Sequence, residues 1–257
     1  MRQGLRWVVH DFILAAQFLT RIPLPFRTSV EADRLAGSAR FYPLVGAVLG
    51  AILAVTHTLL GSAMPPLPAA SMTLAVWVLL TGAIHLDGLM DSADGLLSNR
   101  GRERSLEIMK DSRTGPMGVV AAIIVLLAKF SAIASLGGTG AVRALVVAPV
   151  AGRLGMVFCL ALFPYARGEG MGSFSSKMKA SSVVAPSVLA MAVAGLCGPA
   201  GLAALVIAVI AAYVASSGVS RFLGGLTGDV YGAACEVSEA LALIAWIALK
   251  GCLWKWL

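Results

Sequence analysis

Acidic residues are scarce in this 257-residue chain, and their placement points to chemistry. Of 13 Asp and Glu, six fall within residues 87–111. The segment IHLDGLMDSADGLLSNRGRERSLEIMKDSRTGPMG (84–118) spaces Asp87, Asp91 and Asp94 at i, i+4, i+7. On a helix that spacing puts three carboxylates on one face, where like charges repel. A bound divalent cation would relieve the repulsion. An all-oxygen donor set without a His/Cys cluster selects Mg²⁺, Mn²⁺ or Ca²⁺ over zinc.

A second cluster follows: Arg100, Arg102, Glu103, Arg104, Glu107, Lys110, Asp111 and Arg113. Glu103, Glu107 and Asp111 repeat at i, i+4, i+8, and Arg100 and Arg104 are also four apart. Mixed signs at this spacing describe a solvated helix. They also describe a metal–pyrophosphate site, in which the metal takes phosphate oxygens and Arg forks neutralise the rest. A third group is Thr227, Gly228, Asp229, Gly232, Glu236 and Glu239. Asp229 is a candidate substrate or second-metal ligand, and helix capping is the alternative. His10, His57 and Trp246 read as structural, while His85 could orient Asp87.

The elements that must hold these groups follow from composition. The chain is 58% hydrophobic and 13% charged, with a mean hydropathy of +0.87; soluble domains carry about 25% charged residues. This excludes a soluble globular fold, a disordered chain, a coiled coil and a secreted disulfide scaffold. Residues 41–84 contain no Asp, Glu, Lys or Arg, and GSAMPPLP (61–68) breaks them into helices near 41–60 and 69–86. Residues 180–220 are likewise uncharged, and CGPAG (197–201) divides them into 182–197 and 201–218. Spans at 117–136 and 141–163 meet at GGTG (137–140), and a last one covers 237–253. The expectation is one all-α polytopic membrane domain over 1–257, with about seven transmembrane helices, six to eight being compatible. Its polar segments are an amphipathic N-terminal stretch (1–40), the acidic active-site loop (84–118), which could continue the second span as a helix, and a TGD loop (219–240). Trp7–Leu19 reads as an interfacial helix.

Seven spans put 15 of the 20 Lys and Arg on one side, which the positive-inside rule makes cytoplasmic. All 13 acids fall there too, with Glu236 and Glu239 at the mouth of the last span. One chemically equipped face argues against a channel or transporter, whose ionisable groups gather near the midplane. Lys129 and Arg153 are exceptions, lying about 18 and 15 Å from that face along their spans. Intramembrane cations usually face polar cavities, so both are candidates for a cavity floor receiving an anionic substrate; snorkelling or pairing with backbone carbonyls is the alternative, and Arg143, near the far end of its span, reads as snorkelling. The net charge of +7 is a topology signal, and no basic run with interleaved aromatics suggests nucleic acid. Four scattered cysteines form no CxxC or Cys/His pattern, and no signal peptide is apparent in 1–23.

HLDGLMDSADG with RERSLEIMKDSRTGPMG, FLTRIPLP (18–25), RFYPLVGAVLG (40–50) and GGLTGDVYGAACEVSEAL (224–241) together resemble the adenosylcobinamide-GDP ribazoletransferase, or cobalamin synthase, family over nearly the whole chain. The resemblance implies a multi-pass enzyme of the bacterial inner membrane with its active face toward the cytoplasm. It implies that adenosylcobinamide-GDP is joined to α-ribazole or its 5′-phosphate, with release of GMP and with Mg²⁺ as cofactor. A homo-oligomer is left open. Metal ligands are then expected among Asp87, Asp91, Asp94, Glu107 and Asp111, with Asp91, Asp94 and Asp111 at the reacting phosphate. Substrate is expected to meet Arg100, Arg104, Lys110, Arg113, Lys129, Arg153, Asp229, Glu236 and Glu239. CDP-alcohol phosphotransferases share the half-motif Asp91–Ser92–Ala93–Asp94–Gly95 and make phospholipid, which is the alternative activity. Their following AR is absent, Ser98 and Asn99 standing there instead.

Overall fold

The computed structural model describes residues 2–26, 31–170 and 172–254, and among these it is helical without a strand. The α-helices in chain order are α1 (Arg2–Leu19), α2 (Ala32–Ser38), α3 (Tyr42–Ala63), α4 (Pro66–Thr81), α5 (Ile84–Leu96), α6 (Arg102–Ile108), α7 (Pro116–Ser135), α8 (Gly138–Leu162), α9 (Val184–Leu196), α10 (Pro199–Leu223) and α11 (Gly228–Trp254). Proline at the first turn of α3, α4, α7 and α10 starts helices where an N–H would lack a partner anyway.

Seven apolar helices occupy the places expected from the sequence, and they differ in length. Ala32–Ala63, α7, α8, α10 and Gly228–Leu249 are each long and apolar enough to cross a membrane. Helix α4 has 16 residues and reaches span length only when counted with α5, to which it is bent by 88°. Helix α9 has 13 residues, about 20 Å of helix, short of a hydrocarbon core about 30 Å thick. Short 3₁₀ turns at Ser173–Lys177 and Ala180–Val183 occupy the chain before it. The protein is thus a polytopic membrane protein with five to six full-length spans among the described residues. Leu59, Leu79, Ile124, Leu127, Val188 and Val214 are exposed on outward faces, as a surface bathed in lipid requires.

Helix α8 runs through the centre and packs on α3, α10 and α11. One half of the core gathers Leu49, Trp77, Ile133, Leu145, Leu205 and Trp246. The other half gathers Leu19, Tyr42, Val157, Leu160, Leu223 and Leu226 under α1 and α2. Helix α1 is tied down by Asp11, which is 6% exposed and accepts hydrogen bonds from Arg34 at 3.0 Å and Arg40 at 2.7 Å. Its first turns leave Trp7, Val8 and Val9 exposed, and its last turns bury Leu14, Ala15 and Leu19.

Three expectations need correction. The acidic segment does not continue the second span: Gly82 and Ala83 both take left-handed backbone, φ 60° and 56°, and turn the chain sharply. The Arg21 side chain packs over Gly82, where a Cβ would stand. The stretch 219–240 is mostly helix rather than loop, because α10 runs to Leu223 and α11 begins at Gly228. The last span consequently starts nine residues earlier than expected, so Glu236 and Glu239 lie about 12 and 17 Å inside it and not at its mouth.

Candidate active site

Helices α5 and α11 cross closely, and the crossing builds the acidic rim. A Cβ on Gly88 would lie 2.7 Å from the carbonyl oxygen of Asp229, so only glycine lets the two backbones approach this far. The contact brings Asp229, on the first turn of α11, to the α5 face carrying Asp87 and Asp91. Asp87 is exposed and Asp91 half-buried. Asp91 is pushed up to about 6, first by burial and then by the neighbouring Asp87, Asp229 and Asp94, with Arg167 opposing. The carboxylates therefore feel one another's charge, as their one-face spacing implies.

The loop before the 3₁₀ turns supplies the cation. Leu226 donates to the Pro164 carbonyl and accepts from Ala166 N–H, both at 2.8 Å. That pairing holds Arg167 beside α11, where its Nη2 lies 2.9 Å from Asp229 Oδ2. Thr227 donates to the same oxygen at 3.2 Å. Next to these groups lies a cavity of about 470 Å³ between α1, α5, α8, α11 and the 163–174 segment. Asp87, Asp229 and Arg167 line it where α5 meets α11, Arg21 and His85 contribute further, and Phe18, Met156, Leu160 and Phe174 form an apolar wall.

Asp94 has a further role that its spacing does not reveal. Its two oxygens accept hydrogen bonds from the N–H groups of Gly115 at 2.7 Å and Gly118 at 2.8 Å, capping the start of α7 from another helix. These are donors that a helix leaves unsatisfied at its N-terminus. A Cβ on Gly118 would stand 2.5 Å from Asp94 Oδ2. Each carboxylate oxygen has two lone pairs, so capping leaves acceptor capacity on both.

The second charged cluster stands apart from this rim. Arg104 pairs with Glu107 at 2.8 Å and Arg113 with Asp111 at 2.6 Å, all in exposed or partly exposed positions. The double contact with Arg113 lowers Asp111 to about 2. Arg102 donates to the Leu223 carbonyl at 2.7 Å, while Arg100 and Lys110 are exposed. Glu107 and Asp111 thus face their own arginines, and the described residues do not bring them into one cluster with Asp87, Asp91 and Asp94.

Lys129, Arg153, Glu236 and Glu239 do come together, inside the bundle. Lys129 Nζ contacts Glu236 Oε2 at 2.6 Å and also Glu239 Oε2; Arg153 Nη1 contacts Glu239 Oε1. All four are at most 6% exposed, and Lys129 also sits 4.5 Å from the centre of the Trp77 ring. The two cations at similar depth meet carboxylates rather than backbone carbonyls, and none of the four lines the cavity. Elsewhere on this side Arg40 is paired with Asp11, and Lys177 lies 3.7 Å from Asp33.

Among the described residues no three Asp, Glu, His or Cys side chains converge as a preformed metal cage. The chemistry of the rim still fits a hard divalent cation. It offers only oxygen donors, and Asp87 and Asp91 have no ion-pair partner among the described residues. Sequence reasoning passed over Arg167, Phe174 and the Gly115/Gly118 amides, and it offered His85 as a group orienting Asp87, whereas the structure buries His85. A lone arginine in PYARGEG (164–170) gives little to find it by.

The sequence model of the family described as cobalamin-5-phosphate synthase matches residues 11–247. A Brevibacillus brevis protein named adenosylcobinamide-GDP ribazoletransferase is 43% identical over 92% of this chain and 97% of its own length. One of the same name from Desulfitobacterium hafniense is 43% identical over 90% of this chain and 94% of its own. A third, from Pseudomonas aeruginosa, is 39% identical over 95% and 99%. No solved structure matches the chain.

Proposed function

The chain belongs to the cobalamin-5-phosphate synthase family, and from that premise we propose that it joins adenosylcobinamide-GDP to α-ribazole or α-ribazole 5′-phosphate. A ribazole hydroxyl attacks the phosphorus that carries the cobinamide, a new P–O bond forms, and the bond to GMP breaks. The observation that carries this reading is the crowding of Asp87, Asp91, Asp94 and Asp229 at one rim with a single paired arginine.

Asp87, Asp91 and Asp94 would hold Mg²⁺, which supplies charge neutralisation at the pyrophosphate and at the departing GMP. Arg167 adds a fixed positive charge on the same side of the site. The hydroxyl proton passes to a rim carboxylate, and Asp87 and Asp229, which line the cavity, are placed to take it. Asp94 anchors α5 to α7 and so fixes the helix that presents the other two. The active face is assigned to the cytoplasmic side of the bacterial inner membrane, because the seven-helix alternation expected from the sequence puts 15 of the 20 Lys and Arg on the side of the acidic segment.

The test is GMP release by the purified protein in detergent. Release that requires both adenosylcobinamide-GDP and α-ribazole is expected. Release of CMP from CDP-diacylglycerol-type donors, with no GMP release from adenosylcobinamide-GDP, would replace this reading with phospholipid synthesis.

A further inference from the structure

We propose that the cavity of about 470 Å³ beside the rim is the acceptor subsite, holding the base and ribose of the nucleoside while the donor stays outside it. The assignment rests on the function proposed above and goes beyond it, because that function does not say which substrate enters the protein.

Size makes the first division. Ligand cavities run from about 300 to 1,000 Å³, and this one has room for one nucleoside or nucleotide. A corrin ring carrying an adenosyl group is far larger, so the donor reaches the rim from the water side. Two groups then compete for the cavity, the acceptor nucleoside and the guanosine end of the donor.

Chemistry makes the second division. Guanine carries donors and acceptors along its edges, and each needs a partner once buried. Phe18, Met156, Leu160 and Phe174 offer none, and Phe18 and Phe174 present an edge-to-face pair with ring centres 5.7 Å apart. Of the polar side chains that also line the cavity, Gln17 already donates to the Phe26 carbonyl, Thr20 to the Ala16 carbonyl and Tyr231 to the Ser175 hydroxyl. A dimethylated benzimidazole, the base of α-ribazole, has carbon edges and one free ring nitrogen. His85 also lines the cavity, with its Nδ1 buried and without a hydrogen-bond partner among the described residues. Asp87, Asp229 and Arg167 gather where the cavity meets the rim. An acceptor seated base-inward therefore presents its sugar to the carboxylates and to the phosphorus, whereas a guanosine seated there would bury the edges that need partners.

The experiment uses the full chain in detergent. Substrate dependence of GMP release is measured for each substrate separately, and α-ribazole binding is measured by calorimetry without donor. In Phe18→Leu and Phe174→Leu, the acceptor KM and the α-ribazole Kd are expected to rise about tenfold through lost aromatic stacking, with the donor KM within about twofold. Phe174 is buried, so Phe18→Leu, at a half-buried position, serves as the second variant and thermal midpoints check both. A rise in donor KM with acceptor values unchanged overturns the assignment and gives the cavity to guanosine. Unchanged values for both substrates in folded variants overturn it as well and leave the proposed function standing. Weakened α-ribazole binding in the variants of a protein that releases no GMP supports the subsite and rejects the proposed reaction.

Discussion

Helix α11 carries two sets of charged side chains, and they are built in opposite ways. The inner set pairs Glu236 and Glu239 with Lys129 and Arg153, two charges against two, with all four side chains buried. The outer set gathers Asp229 with Asp87, Asp91 and Asp94 around one paired arginine, Arg167. Taking a charge out of water is expensive, so a buried set persists only when it is paired. A rim open to water can hold an excess of one sign, and that excess is what a bound cation uses. The balanced set ties α7, α8 and α11 together, and the unbalanced set is the one proposed above to hold the cation.

The largest expected effect breaks the inner set. Glu239→Leu leaves Arg153 and part of Lys129 uncompensated and should cost about 3–5 kcal/mol of stability, read as a lower thermal midpoint in detergent. Adding Arg153→Met should restore most of it, since a neutral apolar replacement removes the stranded charge. An unchanged midpoint with lost activity would instead return these four residues to the substrate site that the sequence suggests.

Next in size is the junction that holds the outer set in place. Gly118→Ala pushes a Cβ against Asp94 Oδ2 and should cost about 1–3 kcal/mol through two disturbed N–H bonds. Activity should fall with it, because α5 loses its anchor on α7. Full activity in this variant would show that Asp94 does not position the rim.

The rim itself should respond to pH. Asp91 sits at about 6, so below that value it is protonated and a cation must displace the proton; above it the carboxylate is free. Apparent Mg²⁺ affinity should weaken by up to about tenfold per unit as pH falls below that point and should level off above about pH 7. A flat dependence across this window would remove Asp91 from the cation's neighbours.

The smallest expected effect is on the exposed pairs beside α6. Arg104→Gln should shift stability by at most about 1 kcal/mol, as for surface ion pairs generally. A large loss of GMP release in that variant would bring Arg104 and Glu107 back into the metal–phosphate set.

Much of this architecture was legible in the chain because membrane spans are written locally. GSAMPPLP, GGTG and CGPAG mark turns, and charge-free stretches mark the helices between them. The mutual influence of Asp87, Asp91 and Asp94 was legible too, since helical periodicity alone sets it. The 88° bend was not: LTGAIH (80–85) contains no proline, and the turn depends on left-handed Gly82 and Ala83 with Arg21 packed over them. Nor could Lys129 be matched to carboxylates 107 and 110 residues away, or Arg167 to Asp229. Those partners are chosen by helix packing, and the sequence shows only that such charges require some partner.

Whether the unbalanced rim binds a divalent cation and carries out the transfer is decided by GMP release from adenosylcobinamide-GDP and α-ribazole as Mg²⁺ is titrated after EDTA treatment, in the unaltered protein and in Asp91→Asn. Saturable dependence on Mg²⁺ is expected, with a loss of at least about 100-fold in the variant at unchanged thermal midpoint. Release that survives EDTA, or near-normal turnover by Asp91→Asn, would contradict that role of the rim.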